Sequence, residues 1–256
     1  MKNKILSLLL FLLPCLSMAD NFVNLTPLPR SITKTAGELV LPRQFVVGTS
    51  GISEEMTAEA DKFVKAFNNA TGYTASTSAT AEQTLISIRQ NTALGNEAYK
   101  INVKETGATI EASNAIGLYY AFQSIKKILP PNVMAGVKDT KAARYALPIV
   151  SVNDAPRFGY RGFMLDTSRH FFTVKEIKRV LEVMSYYKMN RFHWHLTDDQ
   201  GWRIEIKKYP KLTSIGSISD NSYMVDMHEG DYWLNQPYGP YYYTQKDVKE
   251  VVEYAK

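Results

Sequence analysis

The sequence predicts an α/β protein: a compact α+β unit followed by a parallel strand–helix–strand segment. Two helix-period stripes set among short apolar runs predict the first part. A capped helix between short apolar runs at 161–165 and 191–196 predicts the second. Composition agrees. The 256 residues are 45% hydrophobic and 21% charged, ordinary for one large globular domain or two smaller ones.

Residues 1–19 read as a secretion signal. Lys2 and Lys4 form its basic start, and the apolar core at 5–13 is too short to span a bilayer. Ser17-Met18-Ala19 supplies small residues for cleavage, so the mature chain is expected to begin at Asp20, in the periplasm or outside the cell. Losing both lysines lowers the formal charge from +5 to +3, and no basic cluster points to nucleic acid. Cys15 is the only cysteine, and Pro14 before it fits a lipid-attachment signal poorly. The mature chain is then left without a thiol for disulfides or metal binding.

From 20 to 153 the elements follow in order. Residues 21–30, with Pro27 and Pro29, read as an extended entry. Residues 39–47 read as one strand, at an edge or bulged because of Pro42. Ser53 opens a helix with Met56, Ala60, Phe63, Val64 and Phe67 inward, and Gly72 closes it. The small polar stretch 74–82 reads as a loop, and 84–89 as a strand. Runs 99–103 and 109–112 pair about Gly107. Asn114 caps a second helix with Leu118, Ala121, Phe122, Ile125 and Leu129 inward, and Pro130-Pro131 stops it. The block holds no histidine and only scattered acids, so it reads as a packing unit. Residues 152–157, punctuated by Pro156, read as the junction.

From 154 to 256 the residues carry chemistry. Strand 161–165 ends in the polar turn 166–170. Thr173 then caps a helix, and Glu176 completes a capping box. Its buried face is Ile177, Val180, Leu181 and Met184. Strand 191–196 ends in Thr197-Asp198-Asp199-Gln200-Gly201. A βαβ connection makes the two strands parallel. Arg169 and Asp198 then follow strand C-termini, the edge where parallel α/β proteins bind ligands. A guanidinium fork beside a carboxylate acceptor suits a hydroxyl-rich ligand. His193 and His195 alternate on their strand and face one way.

Beyond Arg203, residues 204–209 lead into Pro210 and a long loop reaching Tyr243. Loops of that length are often binding elements, so Tyr232, Trp233 and Tyr238 are candidate rings for stacking on sugar. Trp202 is a candidate pocket wall or core residue. Thr244 caps a last helix, with Val248, Val251 and Val252 inward.

Two stretches, RGFMLDTSRHF at 161–171 and KMNRFHWHLTDDQGWR at 188–203, resemble motifs of the family 20 glycoside hydrolases, the β-N-acetylhexosaminidases. The resemblance is close over about 157–210. It implies an α+β N-terminal hexosaminidase domain at 20–153 and the start of a (β/α)8 TIM barrel at 154–256, truncated after about two βα units. It implies hydrolysis of terminal non-reducing N-acetylglucosamine or N-acetylgalactosamine, with no cofactor and no metal. Its partners are glycans or glycoconjugates carrying N-acetylhexosamine. Catalysis in the family is retaining and substrate-assisted: the 2-acetamido oxygen attacks the anomeric carbon. An adjacent Asp-Glu pair orients that acetamido group and protonates the leaving oxygen. By resemblance the pair lies on a later barrel strand, and the sequence offers only Asp198-Asp199. The chain is therefore expected to be inactive alone.

The resemblance leaves a substrate-binding portion. Arg169 matches the arginine that grips hydroxyls of the terminal sugar. Asp198 matches the aspartate that couples, through a later histidine, to the catalytic acid. His195 matches a neighbouring position. Asp199 and Asp166 occupy loop positions suited to hydrogen bonding. Two other functions fit parts of the pattern. One is a non-catalytic carbohydrate-binding fragment. The other is a metal-dependent amidohydrolase, with His193, His195, His170 and Asp198 as ligands.

Overall fold

In the computed structural model the described residues are 25–256 without 140, 141, 143, 220, 221, 227–229 and 235–237; for 222–226 and 230–234 only the backbone is described. The secretion signal at 1–19 and Cys15 lie outside these residues. The first unit runs β1 (Ser31–Leu41), β2 (Gln44–Gly48), α1 (Glu54–Thr71), β3 (Thr74–Ser78), β4 (Ile86–Gln90), β5 (Tyr99–Lys104), β6 (Gly107–Ala112), α2 (Ala115–Ile128), α3 (Pro131–Ala135) and β7 (Tyr145–Asp154). Its strands make one mixed sheet in the order β1-β7-β5-β6-β4-β2-β3.

The helices form where their caps and stripes predict. Ser53 accepts from the Met56 N–H, and Gly72 ends α1 in the left-handed region at φ 70°. Asn114 accepts from the Gly117 N–H at the start of α2. Both helices lay their apolar stripes on one sheet face. Met56, Phe63, Phe67, Leu118, Phe122 and Ile125 are buried against Val47, Ile88, Ile101, Ile110 and Leu147. Phe63 and Phe122 stack with centroids 4.2 Å apart. Gly107 turns β5 into β6 at φ 153°, and a Cβ there would lie 2.7 Å from the Leu85 carbonyl oxygen.

Several expectations need correction. Residues 39–47 are two strands, because Pro42 interrupts the ladder. β1 pairs antiparallel with β7 at the sheet edge, whereas β2 pairs parallel with β3 and β4. β1 also starts earlier, at Ser31, where polar residues hide the strand pattern. The loop expected at 74–82 begins with edge strand β3. An edge strand can satisfy its backbone on one side and leave small polar side chains to water, so it shows no apolar alternation. Pro131 opens α3 as its first residue. The junction expected at 152–157 is still β7 as far as Asp154.

The second part runs β8 (Gly162–Asp166), α4 (Val174–Tyr186), β9 (Arg191–His195), β10 (Thr197–Asp198), β11 (Gly201–Trp202), α5 (Lys211–Ser214), β12 (Ser222–Asp226), β13 (Gly230–Leu234) and α6 (Gln245–Ala255). β8 and β9 are parallel and in register, with Leu165 opposite Trp194 and Asp166 opposite His195. Thr173 and Glu176 form the capping box of α4, and Thr244 and Asp247 that of α6. Ile177, Tyr243 and Val251 centre a small core, which Leu165, Phe192 and Trp194 flank from the strands. The long loop expected up to Tyr243 contains α5 and the β12–β13 hairpin. Val252, expected inward, is exposed, because the inward line of α6 passes through Val248 and Val251. Among the described residues, no helix is long and apolar enough to cross a membrane.

A polar seam joins the two parts. Arg161 donates to both Glu97 oxygens, at 2.9 and 3.2 Å, and to the Lys188 carbonyl at 2.7 Å. Lys188, at φ 58° just past α4, sends its ammonium to Asp154 at 3.0 Å and to the Tyr99 hydroxyl at 2.6 Å. The Lys188 and Asp154 side chains are only 8% and 12% exposed. Removing one partner leaves the other charge buried and unpaired, which costs about 3–5 kcal/mol. Asp154→Ala is therefore expected to lower the unfolding free energy in urea by about that amount; a loss under about 1 kcal/mol would show the pair to be dispensable.

Candidate functional site

The C-terminal ends of β8 and β9 lie side by side, and short turns bring their polar residues together. Thr167 ties the first turn to the second strand: its N–H and hydroxyl both donate to the His195 carbonyl, at 3.0 and 2.9 Å. The Asp166 Oδ1 accepts from the N–H groups of Ser168 and Arg169, both at 3.1 Å. Its other oxygen accepts from Arg169 Nη1 at 3.0 Å. One carboxylate thus shapes the turn and aims the guanidinium.

The β10–β11 hairpin pairs Asp198 with Gly201 and returns Asp198 over the same edge. Asp198 Oδ2 lies 2.5 Å from Arg169 Nη1 and 2.9 Å from His195 Nε2. Asp198 Oδ1 accepts from the Asp199 N–H at 2.8 Å. Arg169, Asp198 and His195, the three residues expected to bind substrate, therefore form one contact group. Asp166 belongs to it, and Asp199 sits at its margin, 3.7 Å from Arg169 Nη2 and mostly exposed.

The hydrogen bonds assign a tautomer. An ionised carboxylate only accepts, so His195 Nε2 carries the proton that it shares with Asp198. Arg169 Nη1, 3.2 Å from that nitrogen, then reaches the same oxygen as a second donor. Asp198 is held down to about 2, foremost by the Asp199 N–H and next by His195, with the charge of Arg169 adding less.

Other candidates fall outside the group. The Trp202 indole N–H donates to the Ile204 carbonyl at 2.7 Å. The side chains of Trp233 and Tyr232, on β13, lie outside the described residues. The Tyr238 hydroxyl accepts from the Phe171 N–H at 3.0 Å, and its ring stacks on His170 at 5.8 Å. That stacking holds His170 in an aromatic cluster with Phe172. His193 and His195 do share a face, 6.0 Å apart, yet no three His, Cys, Asp or Glu side chains among the described residues are grouped to hold a metal ion.

Arg203 was singled out by no motif argument, although it is fully buried beneath the site. The neighbouring Gly201 is its one local signal, since a Cβ there would lie 2.5 Å from the Arg203 guanidinium carbon. Two surface cavities, of about 520 Å³ around 208–216 and about 380 Å³ on the outer face of β4, β5 and β6, lie elsewhere. The Arg169 group occupies an open, half-exposed rim.

A depressed carboxyl pKa means that the ionised form persists below the ordinary range and is lost only as pH falls through the depressed value. Asp198 is expected to stay ionised, and to keep its contact with Arg169, down to pH 3, with a midpoint of about 2 in a carboxyl-carbon NMR titration. A midpoint near the ordinary value of about 3.9 would contradict this geometry.

Comparison with known proteins bears on what this arrangement is for. A family model described as glycosyl hydrolase family 20, catalytic domain, matches residues 158–256, and one described as glycosyl hydrolase family 20, domain 2, matches residues 23–155. A β-hexosaminidase of Porphyromonas gingivalis is 33% identical over 238 residues, which are 92% of this chain and 29% of that protein. A β-hexosaminidase of Vibrio furnissii is 38% identical over 170 residues, covering 66% of this chain and 26% of that protein. The chain thus spans less than a third of these relatives. Among solved structures, Streptomyces plicatus N-acetyl-β-hexosaminidase in complex with Thio-NAglucal superposes with a TM-score of 0.73 at 32% identity, covering 90% of this chain and 42% of that one. The exo-β-N-acetylglucosaminidase of Vibrio harveyi in complex with N-acetylglucosamine gives 0.72 at 30% identity, covering 92% and 34%.

Proposed function

Because the chain belongs to glycosyl hydrolase family 20, we propose that Arg169, Asp198 and His195 bind the terminal N-acetylhexosamine of a β-linked glycan. The observation that carries this reading is the contact group itself: a guanidinium and a carboxylate meet at the C-terminal edge of two parallel strands. The guanidinium donates to sugar hydroxyls, and Asp198 with His195 supplies an acceptor of fixed charge beside it. β8 and β9 are the first two strands of a (β/α)8 barrel, and the seven-stranded unit is the domain before it. The reaction is release of N-acetylglucosamine or N-acetylgalactosamine from the non-reducing end, with the 2-acetamido group as nucleophile. No Asp is followed directly by Glu in the 256 residues, so the general acid comes from outside them. The secretion signal read at 1–19 supports an activity in the periplasm or outside the cell as part of the same proposal.

The missing Asp-Glu pair also favours a second reading, in which these residues bind sugar without hydrolysing it. Both readings require Arg169. Arg169→Lys loses the planar fork, so calorimetric titration with N-acetylglucosamine should show affinity weakened about tenfold or more. Unchanged affinity would remove Arg169 from the site. The 256-residue chain is expected to give no turnover of a chromogenic N-acetylglucosaminide. Turnover at the rate of a complete family enzyme would show that a catalytic acid lies within it.

A further inference from the structure

Arg203 is fully buried, burial pushes its guanidinium below the ordinary arginine value, and no carboxylate pairs with it among the described residues. Buried arginines ordinarily have an anionic partner, because an unpaired charge is costly to desolvate. Here peptide carbonyls from three segments take that place. Nε and Nη2 donate to the Ser168 carbonyl at 3.3 and 3.0 Å. Nη1 donates to the Ser217 carbonyl at 2.6 Å and to the Tyr241 carbonyl at 3.1 Å. The Tyr238 ring lies 5.6 Å from the guanidinium carbon.

Ser168 immediately precedes Arg169 and is itself fully buried. Its hydroxyl donates to the Gly201 carbonyl at 2.7 Å. Both the side chain and the carbonyl of Ser168 are therefore tied to 201–203, the segment that closes the Asp198 hairpin. We propose that Arg203 is a positioning residue: by holding the Ser168 carbonyl against that hairpin, it sets where the Arg169 guanidinium meets Asp198. Only the identity of the ligand rests on the function proposed above; the effect on Arg169 can be read without one.

Gly201 belongs to the same device. A Cβ at 201 would lie 2.5 Å from both Cζ and Nη2 of Arg203. A guanidinium fixed by four hydrogen bonds cannot yield to that methyl group and keep them all. Gly201→Ala therefore displaces Arg203 without deleting it.

The test is side-chain 15N relaxation of Arg169 Nε in the whole chain, for wild type, Arg203→Met and Gly201→Ala, with the amides of the seven-stranded sheet as a fold control. The expected result is an ordered Arg169 in wild type and a mobile one in both variants, while the sheet amides are unchanged. N-acetylglucosamine titration on the same samples should show about tenfold weaker binding in the variants. An Arg169 as ordered in a folded variant as in wild type would overturn the proposal. Loss of the β8–β9 signals in both variants would also overturn it, by making Arg203 a stability element alone. If wild type binds no N-acetylglucosamine while Arg169 still loses order in the variants, the positioning role stands and the sugar-binding reading fails.

Discussion

Parallel pairing of β8 with β9 is the constraint on which the site depends. Two parallel strands joined through a helix must end on the same edge. Their register then decides which residues face each other there, and it sets Asp166 opposite His195. The turns that follow need only fold back a few residues for Arg169 and Asp198 to touch. An offset of one residue would put His195 and Asp166 on opposite faces of the pair and separate the group.

Polar contacts hold the arrangement at three levels. Asp166 shapes the turn, Arg203 fixes the turn to the hairpin, and the Lys188–Asp154–Tyr99 seam fixes the end of α4 to the first unit. At the last two a buried donor has its partner supplied by another segment. The apolar core does most of the burial in the first unit, whereas polar locks dominate around the site.

Much of this was legible in the sequence because the signals are local. Ser53, Asn114, Thr173 and Thr244 cap their helices as their positions imply, since a cap needs only the next three residues. Arg169, Asp198 and His195 were legible because two short motifs straddle one helix. β3 and the start of β1 were not, since an edge strand with polar side chains has the pattern of a loop. Arg203 and Lys188 were not, since a charged residue read alone suggests a solvated surface. Arg203's carbonyl partners at Ser217 and Tyr241 lie 14 and 38 residues along the chain, and no local pattern announces them.

The central claim is that one sugar is held by groups delivered from both strands at once. Chemical-shift mapping during titration with N-acetylglucosamine tests it most directly. The Arg169 side chain and the His195 ring should shift together along a single binding curve. Shifts confined to the surface cavity around 208–216, with Arg169 and His195 unmoved, would contradict it.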